Sequence, residues 1–366
     1  MMKDKIRRYG AVFLAAAWLV LTLFTWFKPA GEFSDAERRP LDQMPEIKAD
    51  TLLNGKFMKE FEDYTLDQFP LRDGFRQLKS LFHYYVLNQK DNNGIYIADG
   101  YAAEMEYPLE EVSVEHALQQ FSKVYEKYLK ESGSTVFATV VPDKSYYLAE
   151  DNGYLSMDYE KMFSMVQEGM PWATHVDISD CLRIEDYYFT DTHWRQESLL
   201  PVAQRLSQAM GLTLPQEEDF TVTALERPFY GVYYGQAALP MSSETMYVLK
   251  NAMLDACTVY NYETGKETSV YDMDKLYAKD QYDVFLSGAQ SLLKVTNPNA
   301  KTDRELLVFR DSFGSSLIPL LLQDYASVTL IDIRYISPEL LGRFLEFKGQ
   351  DVLFLYSTLV LNKNLI

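Results

Sequence analysis

The sequence is poor in the residues that build several common sites. Only two cysteines occur in 366 residues, Cys181 and Cys257, far apart and in no C-x-x-C spacing, so neither a zinc site nor a disulfide framework is implied. Positive charge is in deficit: 35 Lys and Arg face 53 Asp and Glu, and a formal charge of -18 with no basic patch repels nucleic acid phosphates. Histidine is scarce, with His83, His116, His175 and His193 the four in the chain, so the search for a general base is short. Repeats and low-complexity tracts are missing, which sets aside solenoids and disordered arrays.

What remains is ordinary for a folded chain. Apolar residues make up 47% and charged residues 24%, enough to bury a sizeable core, and the length suits two domains or one large α/β unit with appendages. Aromatics are the one excess, with 27 Tyr and 21 Phe, which supply surfaces for stacking on sugar rings as well as core filling.

Gly10 to Phe27 runs 18 residues without a charge, close to the ~20 a helix needs to cross a bilayer. Lys3, Lys5, Arg7 and Arg8 precede it with Asp4 alone opposing, so the positive-inside rule keeps the N-terminus cytoplasmic. The following KPAGEF is a poor cleavage site, and the segment reads as an uncleaved single-pass anchor in the cell membrane. The expected organisation is a basic stub and anchor (1–27), a stalk rich in Pro29, Pro40 and Pro45 (28–54), and an extracytoplasmic domain (55–366). Residues 28–366 are expected to form a soluble ectodomain.

Phe57 to Val86 reads as amphipathic helix interrupted at FPLRDGF, and NNGIYIADG as a short hairpin. From Ser113, a plausible N-cap, helix and strand alternate: helix to Gly133, strand Thr135–Val141, helix Tyr159–Glu168, an apolar run at HVDI and helix Trp194–Met210, with Pro201 expected to kink it. The last third repeats the order with LLVF, helix to Tyr325, SVTLIDI, helix Pro338–Phe347 and DVLFLY. Nearly continuous apolar strands alternating with helices imply an α/β parallel sheet covered on both faces. Residues 212–290 are less regular and read as insertions over the site.

Ligands in such sheets bind beyond the carboxyl ends of strands, where LLVFRDSFGSS places Ser312 between a strand and a helix. There it is either a nucleophile whose oxyanion the helix start favours or simply a helix cap. His83 and His116 read as structural, and His175 precedes a strand. His193 lies in YYFTDTHW with Asp191 two residues away; in an extended segment such residues share a face about 7 Å apart, within reach of carboxylate to imidazole. Asp191 is then the orienting acid, or the N-cap of a following helix. Trp194, next in sequence, is expected to shield the pair from water on the substrate side. Arg334, after its strand, faces the same rim, either toward substrate or oxyanion or in an ion pair with Asp332 or Glu339; Asp143 and Lys144 occupy the rim as well, Lys144 either toward substrate or simply solvated.

TDTHW followed by RDSFG resembles the DHHW proteins of Gram-positive bacteria and the related alginate O-acetyltransferase proteins, which are SGNH-hydrolase-like with a flavodoxin-like parallel sheet. FEDYTLDQFPLRDGF, NNGIYIADGY, VVPDK, YDVFLSG and LIDIRY look like family segments in family order. Thr192 stands where the name-giving motif has His, and Arg310 where a small residue is typical. The resemblance implies Asp191, His193 and Ser312 as a triad. Ser287, Gly288, Ala289 and Gln290 stand in the position of its Gly-Gly-Asn-like segment, making Gly288 and the Gln290 side chain the candidate oxyanion donors.

It further implies serine O-acetylation of a cell-surface polysaccharide, with a multispanning membrane acyltransferase as acetyl donor and no cofactor or metal. A carbohydrate acetylesterase using the same triad, or a non-catalytic glycan-binding subunit, are the alternatives.

Overall fold

The structure, a computed structural model, describes residues 2–34, 37 and 39–366. The side chains of Lys3 and Asp4, and residues 35, 36 and 38 of the expected stalk, lie outside the described residues. The chain divides into two compact units, one of Met1–Asn93 with Tyr234–Pro240, the other of Gly94–Tyr233 with Met241–Ile366.

The first unit opens with helix α1 (Met2–Phe27), which contains the one stretch among the described residues long and apolar enough to cross a membrane, Arg7–Thr25. Strands β1 (Phe33–Ser34) and β2 (Arg39–Pro40) pair antiparallel. Helices α2 (Lys56–Asp67) and α3 (Arg72–Leu81) follow, separated at Pro70 as its missing N–H requires, and a π-helical turn at Phe82–Val86 continues α3. The segment read as a stalk is bolted down: Arg39 forks onto Asp67 at 2.7 and 2.6 Å, and Asp67 also accepts from the Asp42 N–H.

The second unit starts with the expected hairpin, β3 (Ile95–Ala98) against β4 (Tyr101–Glu104). Helix α4 (Glu111–Val124) begins two residues before Ser113, which sits buried inside it; the cap is Glu110. Next come β5 (Thr135–Val141), α5 (Lys144–Leu148), α6 (Tyr159–Gly169) and β6 (Thr174–His175), the last shrunk to two residues at the sheet edge. Helix α7 spans only Leu200–Met210, because Pro201 occupies its first turn, where proline starts a helix instead of kinking one.

The region 212–290 contributes β7 (Thr221–Ala224) paired with β8 (Tyr247–Lys250), and the hairpin β9 (Thr258–Asn261) and β10 (Lys266–Thr268). The closing elements are β11 (Leu292–Thr296), β12 (Arg304–Arg310), α8 (Gly314–Leu317), β13 (Tyr325–Ile331), β14 (Asp351–Ser357) and α9 (Thr358–Asn362). The helix expected at Pro338–Phe347 is a 3-10 segment at Pro338–Arg343.

Eight strands form one sheet in the order β10-β9-β11-β13-β12-β14-β5-β6. The run from β13 to β6 is parallel as expected, whereas β9, β10 and β11 extend it antiparallel, so the sheet is mixed. Alternation along β12 feeds both layers: Leu306 and Val308 join α7 residues Val202 and Leu206, while Leu307 and Phe309 join Phe121 of α4 and Met162 of α6. Burial on both faces explains the continuous apolar runs at residues 306–309 of β12 and 352–355 of β14.

Candidate active site

Chain leaving the carboxyl end of β12 makes a tight turn that presents Ser312 before α8. Asp311 builds this turn: fully buried, it accepts from the Phe313 N–H at 3.0 Å and from the Ser357 N–H at 2.7 Å, tying the turn to the end of β14. Arg310, also without exposed surface, donates to the Gly288 carbonyl at 3.1 Å and the Asp311 carbonyl at 3.2 Å, and burial pushes its pKa down. A Cβ at Gly314 would stand 3.0 Å from the Arg310 Cβ, so the large residue before the serine is accommodated by a small one after it.

A second loop brings His193. Tyr187 and Trp194 form an antiparallel bridge and the Tyr188 N–H reaches the His193 carbonyl, so residues 188–193 turn back on themselves and are not extended as the sequence suggested. Asp191 Oδ1 accepts from the His193 backbone N–H at 3.1 Å and stands 2.6 Å from Nδ1, while Oδ2 accepts from the Val232 N–H. His193 Nε2 lies 2.7 Å from Ser312 Oγ. With a carboxylate beside Nδ1, that nitrogen carries the proton and Nε2 is left to accept from the serine. Asp191 is fully buried and His193 nearly so, which strengthens both contacts by excluding water.

The acid loop is braced from several sides. A Cβ at Gly231 would fall 2.3 Å from the Asp191 Cα, so only glycine lets that segment approach. Thr190 donates its N–H to Glu244 Oε2 at 3.1 Å, and Tyr233 OH donates to Thr192 Oγ1. Tyr282 stacks on the imidazole with ring centroids 3.8 Å apart and 7° between planes, and its hydroxyl shares a 2.7 Å hydrogen bond with Ser316 Oγ. Burial raises the Tyr282 pKa well above the ordinary tyrosine value, so the hydroxyl stays protonated.

The structure thus brings Asp191, His193 and Ser312 together and places the other expected residues elsewhere in role. Trp194 is completely buried and spends its N–H on Phe313 O and Ser316 Oγ, supporting the turn that carries Ser312. Gly288, with φ +81°, donates its N–H to Phe285 O, and the Gln290 amide lies between Asn261 Nδ2 at 2.9 Å and Ser287 O at 3.2 Å. The Gly288 N–H and the Gln290 amide are thus engaged within the molecule, and the Ser312 backbone N–H finds no acceptor among the described residues.

Arg334 forks onto Asp332 at 2.8 and 2.6 Å, so its ion-pair reading holds; burial works against the charge, but this pairing raises its pKa overall. Lys144 is neither solvated nor on a rim: it is buried, donates to Tyr188 O at 3.0 Å and Phe189 O at 3.3 Å, and burial pushes its pKa down to about 7.

Tyr282, Glu244 and Gly231 are the site residues the sequence did not disclose. Gly231 alone carried a signal, a glycine between bulky neighbours Tyr230 and Val232 marking a close approach. No group of three or more His, Cys, Asp or Glu among the described residues is arranged to hold a metal ion.

The order Asp191, His193, then a distant Ser312 after a parallel strand is the arrangement the resemblance implied. Residues 159–331 match the DHHW protein family. The DHHW match takes in Asp191, His193 and Ser312. A DHHW family protein from Eubacterium siraeum DSM 15702 shares 20% identity over 74% of this chain and 93% of that one, with a TM-score of 0.58. Bacillus cereus PatB1 shares 17% over 74% and 98%, at 0.60, and its structure with a sulfonyl adduct 15% over 74% and 96%, at 0.59. Among curated proteins, none matches the sequence. At these identities the likeness is one of fold, and the fold is the SGNH-hydrolase-like one expected, its sheet mixed at one end.

Proposed function

We propose that this chain is a serine O-acyltransferase, anchored in the cell membrane by α1 with the site outside, which transfers an acetyl group to hydroxyls of a cell-surface polysaccharide. The observation that carries the reading is the unbroken relay from Asp191 through His193 to Ser312, at 2.6 and 2.7 Å. In the first half-reaction Ser312 Oγ attacks the acyl carbonyl while His193 Nε2 takes its proton. The bond to the donor oxygen breaks, and that oxygen leaves with the proton from His193. In the second half, His193 takes a proton from a sugar hydroxyl, whose oxygen attacks the acyl-serine; Ser312 recovers its proton from the imidazolium. The Ser312 N–H is placed to donate to the carbonyl oxygen as it gains charge.

The acyl group is drawn from the resemblance to alginate O-acetyltransferase proteins, as is the donor, a separate multispanning membrane acyltransferase. Bacillus cereus PatB1 has been solved with a sulfonyl adduct, and a sulfonyl fluoride supplies the matching trap here. The test is intact-mass and peptide mass spectrometry of the full chain in lipid nanodiscs, after exposure to the trap or to an activated acetyl ester, then to oligosaccharides of the producing organism. Acyl on Ser312 that moves to a glycan supports transfer. Free acetate at a rate indifferent to every oligosaccharide points to an esterase, and an unmodified Ser312 sinks both.

A further inference from the structure

Helix α3 is inside out. Three of its polar residues face the body of its own unit, while Asp73, Gln77 and Lys79 are exposed: Arg72 reaches Glu37 at 2.6 Å, Arg76 reaches Glu37 at 3.1 Å and the Gly235 carbonyl at 2.8 Å, and buried Ser80 accepts from Asn92. Its apolar residues point away. Leu71, Phe75, Leu78, Phe82 and Tyr85 recur at four- and three-residue steps, one stripe of a helix, yet Leu71 is 76% exposed, Leu78 62% and Tyr85 72%. A contiguous apolar stripe directed outward is normally the mark of a contact surface, and the ion pairs of Arg72 and Arg76 with Glu37 fix the helix in that orientation.

The chain itself says what lies opposite. Gly31 follows the end of α1 by four residues, a reach of at most about 14 Å. Both its backbone groups are held by the buried Gln68 side chain: the N–H donates to Oε1 at 2.7 Å and the carbonyl accepts from Nε2 at 2.9 Å. Gln68 caps α2, three residues before Leu71. Trp18, inside the Arg7–Thr25 stretch, has its ring 6.2 Å from that of Phe69, which in turn sits 5.5 Å from Phe75 of the stripe. The turn between α2 and α3 is therefore fastened beside the apolar helix, at the level where its flanks would meet headgroups.

We propose that α3 lies in the lipid–water interface with its stripe in the bilayer, giving this unit a second, monotopic membrane contact besides the span. The proposal rests on Arg7–Thr25 crossing the membrane and is independent of the acyl-transfer chemistry. The ion pairs of half-buried Arg72 and Arg76 and the hydrogen bond of buried Ser80 then serve to hold the helix with its apolar side toward lipid, which no water-facing helix requires.

The test uses the full chain in nanodiscs of phosphatidylcholine and phosphatidylglycerol containing a phosphatidylcholine with a diazirine in its acyl chain. After irradiation, lipid-bearing peptides are mapped by mass spectrometry. Lipid adducts are expected both on residues 7–27 and on residues 66–87. A Leu71→Glu/Leu78→Glu variant, altered only at exposed positions, should lose adducts on 66–87 at least fivefold and keep those on 7–27. Adducts confined to 7–27 in the unaltered chain overturn the interfacial placement, as does cross-linking of 66–87 to a second copy without lipid. Adducts in neither segment overturn the span and the placement together.

Discussion

The ring of Tyr282 lies flat on that of His193, with centroids 3.8 Å apart, and is held there by the hydrogen bond its hydroxyl shares with Ser316 Oγ. The imidazole is thereby fixed in two directions, in its plane by Asp191 and perpendicular to it by tyrosine. Tyr282→Phe keeps the plate and loses only the tether, so kcat on a small acetyl ester should fall less than about fivefold. Tyr282→Ala removes the plate, and a base free to tilt by an ångström costs about 10²-fold. Equal losses in the two variants would place the effect in the hydrogen bond and not in the stacking.

Ser312→Ala and His193→Ala should each abolish ester turnover to a similar extent, and the double variant should lose no more, since the members act as a unit. Asp191→Asn should cost up to ~10⁴ through the wrong imidazole tautomer. Steady-state rates on a chromogenic acetyl ester decide this, and a Ser312→Ala protein turning over at the parent rate would end the assignment.

Gly231→Ala places a methyl 2.3 Å from the Asp191 Cα. Overpacking of this kind typically costs about 1–3 kcal/mol and here displaces the acid itself. A lowered melting temperature together with a loss of kcat is expected; a normal melt with normal kcat would mean that the segment yields freely.

Gln290→Ala should leave kcat within about threefold of the parent, because its amide is occupied between Asn261 and Ser287 and an oxyanion donor would cost about 10²-fold or more when removed. Turnover on the same ester measures it, and a hundredfold loss would restore Gln290 to the oxyanion hole.

Lys144 makes stability depend on pH in a defined window. Burial pushes its pKa down to about 7 from the ordinary lysine value of 10.5. Below pH 7 both folded and unfolded chains carry the proton and the full cost of the buried charge is felt. Between pH 7 and 10.5 the unfolded chain binds more protons than the folded one, so stability contributed by this group rises with pH. Measured by denaturant titration at pH 7, 8.5 and 10, the parent should gain stability relative to Lys144→Met. A difference that stays flat or shrinks across that range contradicts a buried, depressed lysine.

The central strands were legible because burial on both faces leaves an unambiguous apolar run, as at Thr135–Val141, whose ends were read to the residue. The antiparallel extension by β9, β10 and β11 was not, since pairing direction is set by partners distant in sequence that local patterning does not encode. Helix starts failed where a generic signal had competitors: Ser113 looked like a cap, but Glu110 came earlier, and Pro201 was legible as a breaker although it stands at a beginning. The relay could be found because a scarce residue, histidine, narrowed the choice. Tyr282 could not, because one tyrosine among 27 gives no sign that its ring will meet an imidazole 89 positions earlier. Lys144 misled for a physical reason: a cation after a strand is ordinarily hydrated, and only the carbonyls of Tyr188 and Phe189, converging from another loop, make its burial tolerable.

The outward stripe of α3 also bears on how the protein can be handled. Trimming the chain after Phe27 takes away the apolar anchor but leaves Leu71, Phe75, Leu78 and Phe82 facing water, a surface that favours clumping. Such a truncated form, expected from the sequence to be a soluble ectodomain, would on the interfacial placement of α3 call for detergent or lipid throughout purification. Aggregates formed without either would then reflect naked surface and not an unfolded core.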